Sequence, residues 1–139
     1  MPYSISIDHK RKGLITTYSG ELSNEEFIRC TQEKFLQGEE FLSKDYVDSF
    51  NYSLSDMTEV SRIDIDLEAI KSNAALSEKA LELNTDGIMV VVCPTDLEFG
   101  LSRLWQTYTD SGKDRVKLFR SRQEAEEWLE ETFAAEEAN

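Results

Sequence analysis

The chain predicts an α/β fold, a mixed β-sheet with crossover helices in the order β-β-α-β-α-β-α-β-α. Three observations predict it. The opening residues alternate apolar and polar as half-buried strands do, with Tyr3, Ile5 and Ile7 against Ser4, Ser6 and Asp8. Ile88-Met89-Val90-Val91-Val92-Cys93 is apolar at every position, the pattern of a central strand covered on both faces. Around that run, helix-period segments alternate with short β-branched ones, which implies parallel later strands joined by helical crossovers.

The elements follow in order. His9-Lys10-Arg11-Lys12-Gly13 is a turn in which Gly13 is free to take positive φ. Leu14-Ile15-Thr16-Thr17-Tyr18 reads as the hairpin partner of the first strand, ended by Gly20. Ser23-Asn24-Glu25-Glu26 is a capping box. It opens a helix with Phe27, Ile28, Thr31, Phe35 and Leu36 on one face and Gly38 as its stop. Residues 38–46 read as a loop with Phe41 and Leu42 tucked inward. Phe50 to Leu54 is a strand, Ser55 to Asp66 a polar connection, and Leu67, Ile70, Ala74, Ser77 and Leu81 mark a helix. Asn84 to Gly87 is a turn. After Pro94, Thr95-Asp96 can cap a helix whose inward face is Leu97, Leu101, Leu104, Trp105 and Tyr108. Gly112 and Lys113 fall in a turn, and Val116 to Phe119 is the last strand. Ser121-Arg122-Gln123-Glu124 is a second capping box before Ala125, Trp128, Leu129 and Phe133. The expected organisation is one domain over residues 1–133 and a frayed acidic tail over 134–139.

Composition narrows the function. At 139 residues, 40% hydrophobic and 31% charged, the chain has the make-up of a soluble domain. Its formal net charge of −13 repels nucleic-acid phosphates and anionic lipid. Seven glutamates between Glu124 and Glu137 carry part of that charge. No nucleic-acid partner is expected. The start lacks a basic region followed by an apolar one, so a cytoplasmic location is expected, with peripheral membrane attachment as a variant. Lys10-Arg11-Lys12 and the set Lys113, Arg115, Lys117, Arg120 and Arg122 are the local basic patches such attachment would need. Cys30 and Cys93 read as two small buried thiols, since they form neither a CxxC pair nor a disulfide framework. His9 is the single histidine, so no typical zinc set and no Ser-His-Asp arrangement can be assembled. There is no Walker A loop and no GxGxxG. Asp56, Glu59, Asp64 and Asp66 crowd near a strand end, but without the glycine and glutamate spacing of a calcium loop. Turn and cap duty or partner contacts suit them better than a metal. No enzyme activity, metal or cofactor is expected.

The segment from Asp56 to Leu67, Asp-Met-Thr-Glu-Val-Ser-Arg-Ile-Asp-Ile-Asp-Leu, resembles the strand-to-helix signature of STAS domains. Other stretches resemble the SpoIIAA-like group of small bacterial proteins, related in fold to STAS and CRAL-TRIO domains. These are Gly13-Leu14-Ile15, Tyr18 to Leu22, Asp96 to Arg103 and Phe119 to Leu129, and the resemblance spans roughly residues 3 to 131. It implies a SpoIIAA-like sheet. In phospho-switched STAS domains a D-S-S-G segment offers a serine at the helix start. Here the matching stretch is Asp64-Ile65-Asp66-Leu67, so Asp66 stands at the serine position and a serine kinase cannot act on it.

Two readings of function follow, with an unrecognised hydrolase as a distant third. The leading one is a non-enzymatic module for a small apolar or lipid-like ligand or a membrane surface, lined by Met57, Phe99, Leu101 and Trp105. It is motivated by Phe99, which falls off the helix's expected core face, and by the CRAL-TRIO resemblance. The other is a STAS-type protein-interaction regulator without the phosphorylatable serine, docking through Asp56, Thr58, Ser61, Asp64 and Asp66. A flat exposed patch around Ser61 to Asp66 would favour the second reading. A homodimer is compatible with the sequence, which does not compel it.

Overall fold

The computed structural model describes residues 2–41, 51–83, 87–109 and 112–137. Five strands form one sheet in the spatial order β1-β2-β3-β4-β5, the order of the chain. β1 (Tyr3–Asp8) pairs antiparallel with β2 (Gly13–Ser23), and every later pairing is parallel. β3 spans Tyr52–Asp64, β4 Ile88–Val92 and β5 Val116–Phe119. The helices are α1 (Asn24–Phe41), α2 (Leu67–Leu83), α3 (Asp96–Thr107), α4 (Gly112–Arg115) and α5 (Arg122–Glu137). Each crossover advances by one strand in the same direction. Right-handed connections then put α1, α2 and α3 on one face of the sheet.

The two faces have separate cores. Toward α1 and α2, Tyr3, Tyr18, Leu22, Phe27, Cys30 and Ala69 are buried together, with Met57, Val60, Ile63 and Ile65 packed against them. On the other face Tyr52, Leu54, Val90 and Val92 meet Ala125 and Leu129 of α5, with Phe119, Trp128 and Phe133 around them. The stripe expected for α5 is therefore the stripe it buries. Both cysteines are buried and neither is in a disulfide.

Several sequence expectations are corrected. The polar connection from Ser55 to Asp66 is mostly strand: β3 runs on to Asp64, because Glu59 to Asp64 pair with Ser19 to Ser23 of β2. Val60 and Ile63 supply the apolar contacts that hold this extension on the core. Gly20 does not end β2. It sits at φ 68° beside a register shift, a bulge that lets the strand continue to Ser23. In the first turn the positive φ belongs to Lys12 (56°), not Gly13. Gly13 instead lies under the ring of Tyr52, where a Cβ would come 2.1 Å from Cζ. Gly38 does not stop α1, which continues to Phe41. Gly112 and Lys113 open the short α4 rather than a turn. The residues after Phe133 stay helical to Glu137, as a run of alanine and glutamate allows. The side chains of Phe35, Leu36, Phe41 and Leu81 lie outside the described residues, as do Leu42, Phe50 and the turn residues 84–86.

The largest correction concerns α3. Of its expected inward face, Leu97 (60% exposed), Leu104 (37%) and Tyr108 (42%) face solvent, while Glu98 and Ser102 are buried. Polar contacts set this rotation. Thr95 and Glu98 form a capping box, and Trp105 Nε1 donates to Asn73 Oδ1 of α2 at 2.8 Å. Asn73 in turn donates to Thr31 Oγ1 of α1, so one buried side chain ties three helices together. Leu67, expected on the inward stripe of α2, is also exposed (43%), whereas Ile70 and Ala74 are buried as expected.

Candidate functional site

In a parallel sheet the crevice outside the carboxyl ends of the strands is where ligands and partners are met. Here β3 passes through that region and continues beyond its neighbours. β4 accompanies it only from Tyr52 to Asp56, and past Asp56 its described pairing is with β2 alone. Along this outer part Thr58, Glu59, Ser61, Arg62 and Asp64 are exposed, and Val60 and Ile63 are turned partly inward. The result is a polar strip with an apolar underside.

Asp56 is not part of the exposed strip. Its carboxylate is buried, with Oδ2 3.0 Å from Arg122 Nη1 at the start of α5. Thr58 donates to Oδ1 from its backbone N–H at 2.9 Å and from its hydroxyl at 2.5 Å. Arg122 Nε also reaches Glu126 Oε1 at 2.8 Å. This pairing fastens β3 to α5: Asp56 is buried in the frame, while Thr58, which bonds its carboxylate, is itself exposed. Arg122 and Glu126 lie 66 and more residues from Asp56, so no local pattern points to them.

Asp66 closes the strip. Its Oδ1 accepts the N–H of Ala69 at 2.9 Å, the N-terminal cap of α2. Its Oδ2 accepts from Asn24 Nδ2 at 2.8 Å, while its own N–H donates to Asn24 Oδ1 at 2.9 Å. The β3–α2 and β2–α1 junctions are thus locked together around a fixed negative charge at the positive end of the α2 dipole. Ser61 and Asp64 remain exposed beside it. The acidic group first seen in the sequence is therefore divided: Asp56 turns to Arg122 and Asp66 to Asn24. Among the described residues no group of three or more His, Cys, Asp or Glu side chains is placed to hold a metal ion.

The four residues expected to line an apolar ligand occupy different surroundings. Met57 packs against the core under α1. Phe99 is half-buried with the Arg120 guanidinium 4.2 Å above its ring, and Arg120 also pairs with Asp96 at 2.9 Å. Trp105 is half-buried and committed to Asn73, and Leu101 is half-buried on the outward side of α3. Asn73 was legible as a polar residue within the helical stripe of Ile70, Ala74 and Ser77.

At the start of α3, Glu98 is only 3% exposed. Its Oε1 accepts from the Thr95 N–H and hydroxyl at 3.1 and 2.7 Å, while Oε2 has no hydrogen-bond partner. The T-x-x-E spacing from Thr95 marks Glu98 as a capping residue. Burial pushes the nearby Cys93 thiol up, against the opposing pull of a Ser102 hydrogen bond and of Arg120. A thiol so held is a poor nucleophile.

The fold matches a solved structure. The chain is similar to an uncharacterised protein of the DUF3478 family with a SpoIIAA-like fold from Shewanella loihica PV-4, at a TM-score of 0.57 and 18% identity over 91% of each chain. The chain has a SpoIIAA-like, STAS-like fold. At that identity the likeness establishes architecture alone. No family model and no curated protein matches the chain. Among the described residues no helix is long and apolar enough to cross a membrane.

Proposed function

We propose that the chain is a non-enzymatic protein-docking module that meets a basic partner segment through the outer part of β3 and the start of α2, without a serine-phosphorylation switch. One observation carries this reading. β3 outruns β4 by eight residues from Met57 to Asp64, presenting Ser61, Arg62, Asp64, Asp66 and Leu67 on a frame that Asp66–Asn24 and Asp56–Arg122 hold rigid. A strand without a neighbour on one side is a ready receptor for an extended segment. Glu59, Asp64, Asp66 and Glu68 outnumber Arg62 on this face, and the net charge of −13 steers cationic partners toward it.

The apolar-ligand reading has less support, because Met57, Phe99, Leu101 and Trp105 sit in separate surroundings. The test is a photo-crosslinking residue at Ser61, introduced in the native host. The reading expects a protein adduct whose purified partner binds more weakly as salt rises. It also expects Glu59→Arg with Asp64→Arg to weaken that binding at least about tenfold. Adducts with lipid only, or binding indifferent to this charge reversal, would refute it. Native mass spectrometry of the host-purified protein gives the complementary result: a retained apolar molecule would return the argument to Phe99 and Trp105.

A further inference from the structure

The docking strip has an order as well as a net charge. Along the outer part of β3 the inward residues Met57, Val60 and Ile63 lie three apart rather than two, because two register shifts give β3 extra residues against β2. At the second shift Gly20 and Glu21 of β2 stand beside Val60 and Arg62, so Ser61 is the extra residue. That bulge decides which side chains share a face. Glu59 and Arg62 are three residues apart and would point to opposite sides of a regular strand. In the ladder they stand beside Ser19 and Glu21, with Asp64 beside Ser23. Counted along β2 the steps are two and two, so all three side chains share the outward face, away from buried Tyr18 and Leu22. All three are exposed, and none has a side-chain hydrogen bond or ion pair among the described residues.

We infer that the partner segment is not uniformly basic: it carries an acidic residue between two basic ones, each two positions away, and Arg62 selects it. This inference rests on the docking reading above. The strip runs negative, positive, negative at steps of about 6.6 Å, the repeat of side chains on one face of an extended chain. A segment laid along the free side of β3 sets its residues i, i+2 and i+4 beside Glu59, Arg62 and Asp64. Opposite charges on neighbouring strands stabilise the pairing, and like charges oppose it. A lysine at the middle position meets the Arg62 guanidinium. A plain polycation is therefore penalised at that point, although the −13 of the whole chain attracts it. The pattern is symmetric, so it holds for a segment running in either direction. The plainer role for Arg62 is to balance exposed Glu21 across the ladder, which selects nothing.

Two capped peptides of equal composition and charge separate these roles, Thr-Lys-Thr-Glu-Thr-Lys-Thr and Thr-Glu-Thr-Lys-Thr-Lys-Thr. Each is titrated into the full chain in about 0.15 M salt, where long-range attraction is largely screened, and followed by amide chemical shifts. The first peptide should bind at least about threefold tighter, with shifts centred on Glu59 to Asp64. Arg62→Glu, a change at an exposed position, should reverse that order. Equal binding of the two peptides, or a preference for the second, overturns the inference and leaves the docking strip standing. So does an Arg62→Glu chain that keeps the original order. If neither peptide moves the β3 resonances at millimolar concentration, the docking reading falls and the inference with it.

Discussion

α3 and α5 begin alike and end differently. Each opens on a hydroxyl cap, Thr95 or Ser121, whose oxygen accepts the N–H three residues on. Each carries leucines and aromatics at helical spacing. α5 lays its stripe on the sheet, where Ala125 and Leu129 are wholly buried. α3 turns Leu97, Leu104 and Tyr108 to solvent and buries Glu98 and Ser102. The difference teaches that periodicity reveals a stripe but not its direction. On α5 hydrophobic burial orients the helix, and the Arg122–Asp56 pair fastens its start. On α3 its Thr95–Glu98 cap and the Trp105–Asn73 hydrogen bond to the neighbouring helix outweigh such burial, leaving apolar surface exposed.

Substitutions can break or sharpen this contrast. The largest effect is expected from Leu129→Ala, which removes a buried side chain that α5 depends on and should lower stability by about 3 kcal/mol in chemical denaturation. Asn73→Ala comes next, at about 2 kcal/mol, since it strips partners from Thr31 and Trp105 at once. It should also raise hydrogen exchange in α3 more than in α5. Trp105→Phe keeps an aromatic ring but loses the donor and part of the indole's packing, at about 1.5 kcal/mol.

A smaller effect tests the α5 core through pH. Tyr52 packs against Phe133 and donates to Asp8 Oδ2 at 2.6 Å. That hydrogen bond, with those from the Arg11 and Lys10 N–H groups, holds the Asp8 carboxyl below its usual range against the opposing effect of burial. A depressed carboxyl adds stability above its unfolded pKa of about 3.9, and the contribution fades as pH falls from there through the folded value. Asp8→Asn should flatten this part of the acid unfolding profile. Burial first, then Asp8, pushes the Tyr52 phenol well above its usual range, so its stability contribution is full below pH about 10 and is lost as pH rises from there, where the unfolded phenol ionises and the folded one does not. The smallest effect is Leu104→Ser, within about 0.5 kcal/mol. A loss as large as that of Leu129→Ala would show that the α3 stripe is buried after all.

Much of the fold was legible because its signals are local. The alternation in β1, the unbroken apolar run of β4, the cap at Ser23 and the stripe of α5 each lie within a few residues. What escaped depends on distant partners. Ser55 to Asp64 is polar enough to read as a connection, and only the second half of β2 makes it a strand. Gly13 looks like a turn glycine until Tyr52, 39 residues on, is found across it. At the candidate strip, Asp66 as a helix cap was readable from its place before Leu67. The removal of Asp56 from the exposed set by Arg122 was not.

The order β1-β2-β3-β4-β5 also bears on how the protein is made. Every strand pairs with the strand synthesised just before it, so the sheet can lengthen strand by strand as the chain leaves the ribosome. The first three helices cover one side as they emerge. The other side is different. Tyr52, Leu54, Val90 and Val92 wait for α5, the last element in the order, before they are covered. During that interval the nascent sheet shows an apolar face to the cell. A chain of which everything through Phe119 has emerged but α5 has not would hold a folded but sticky intermediate, open to chaperone binding.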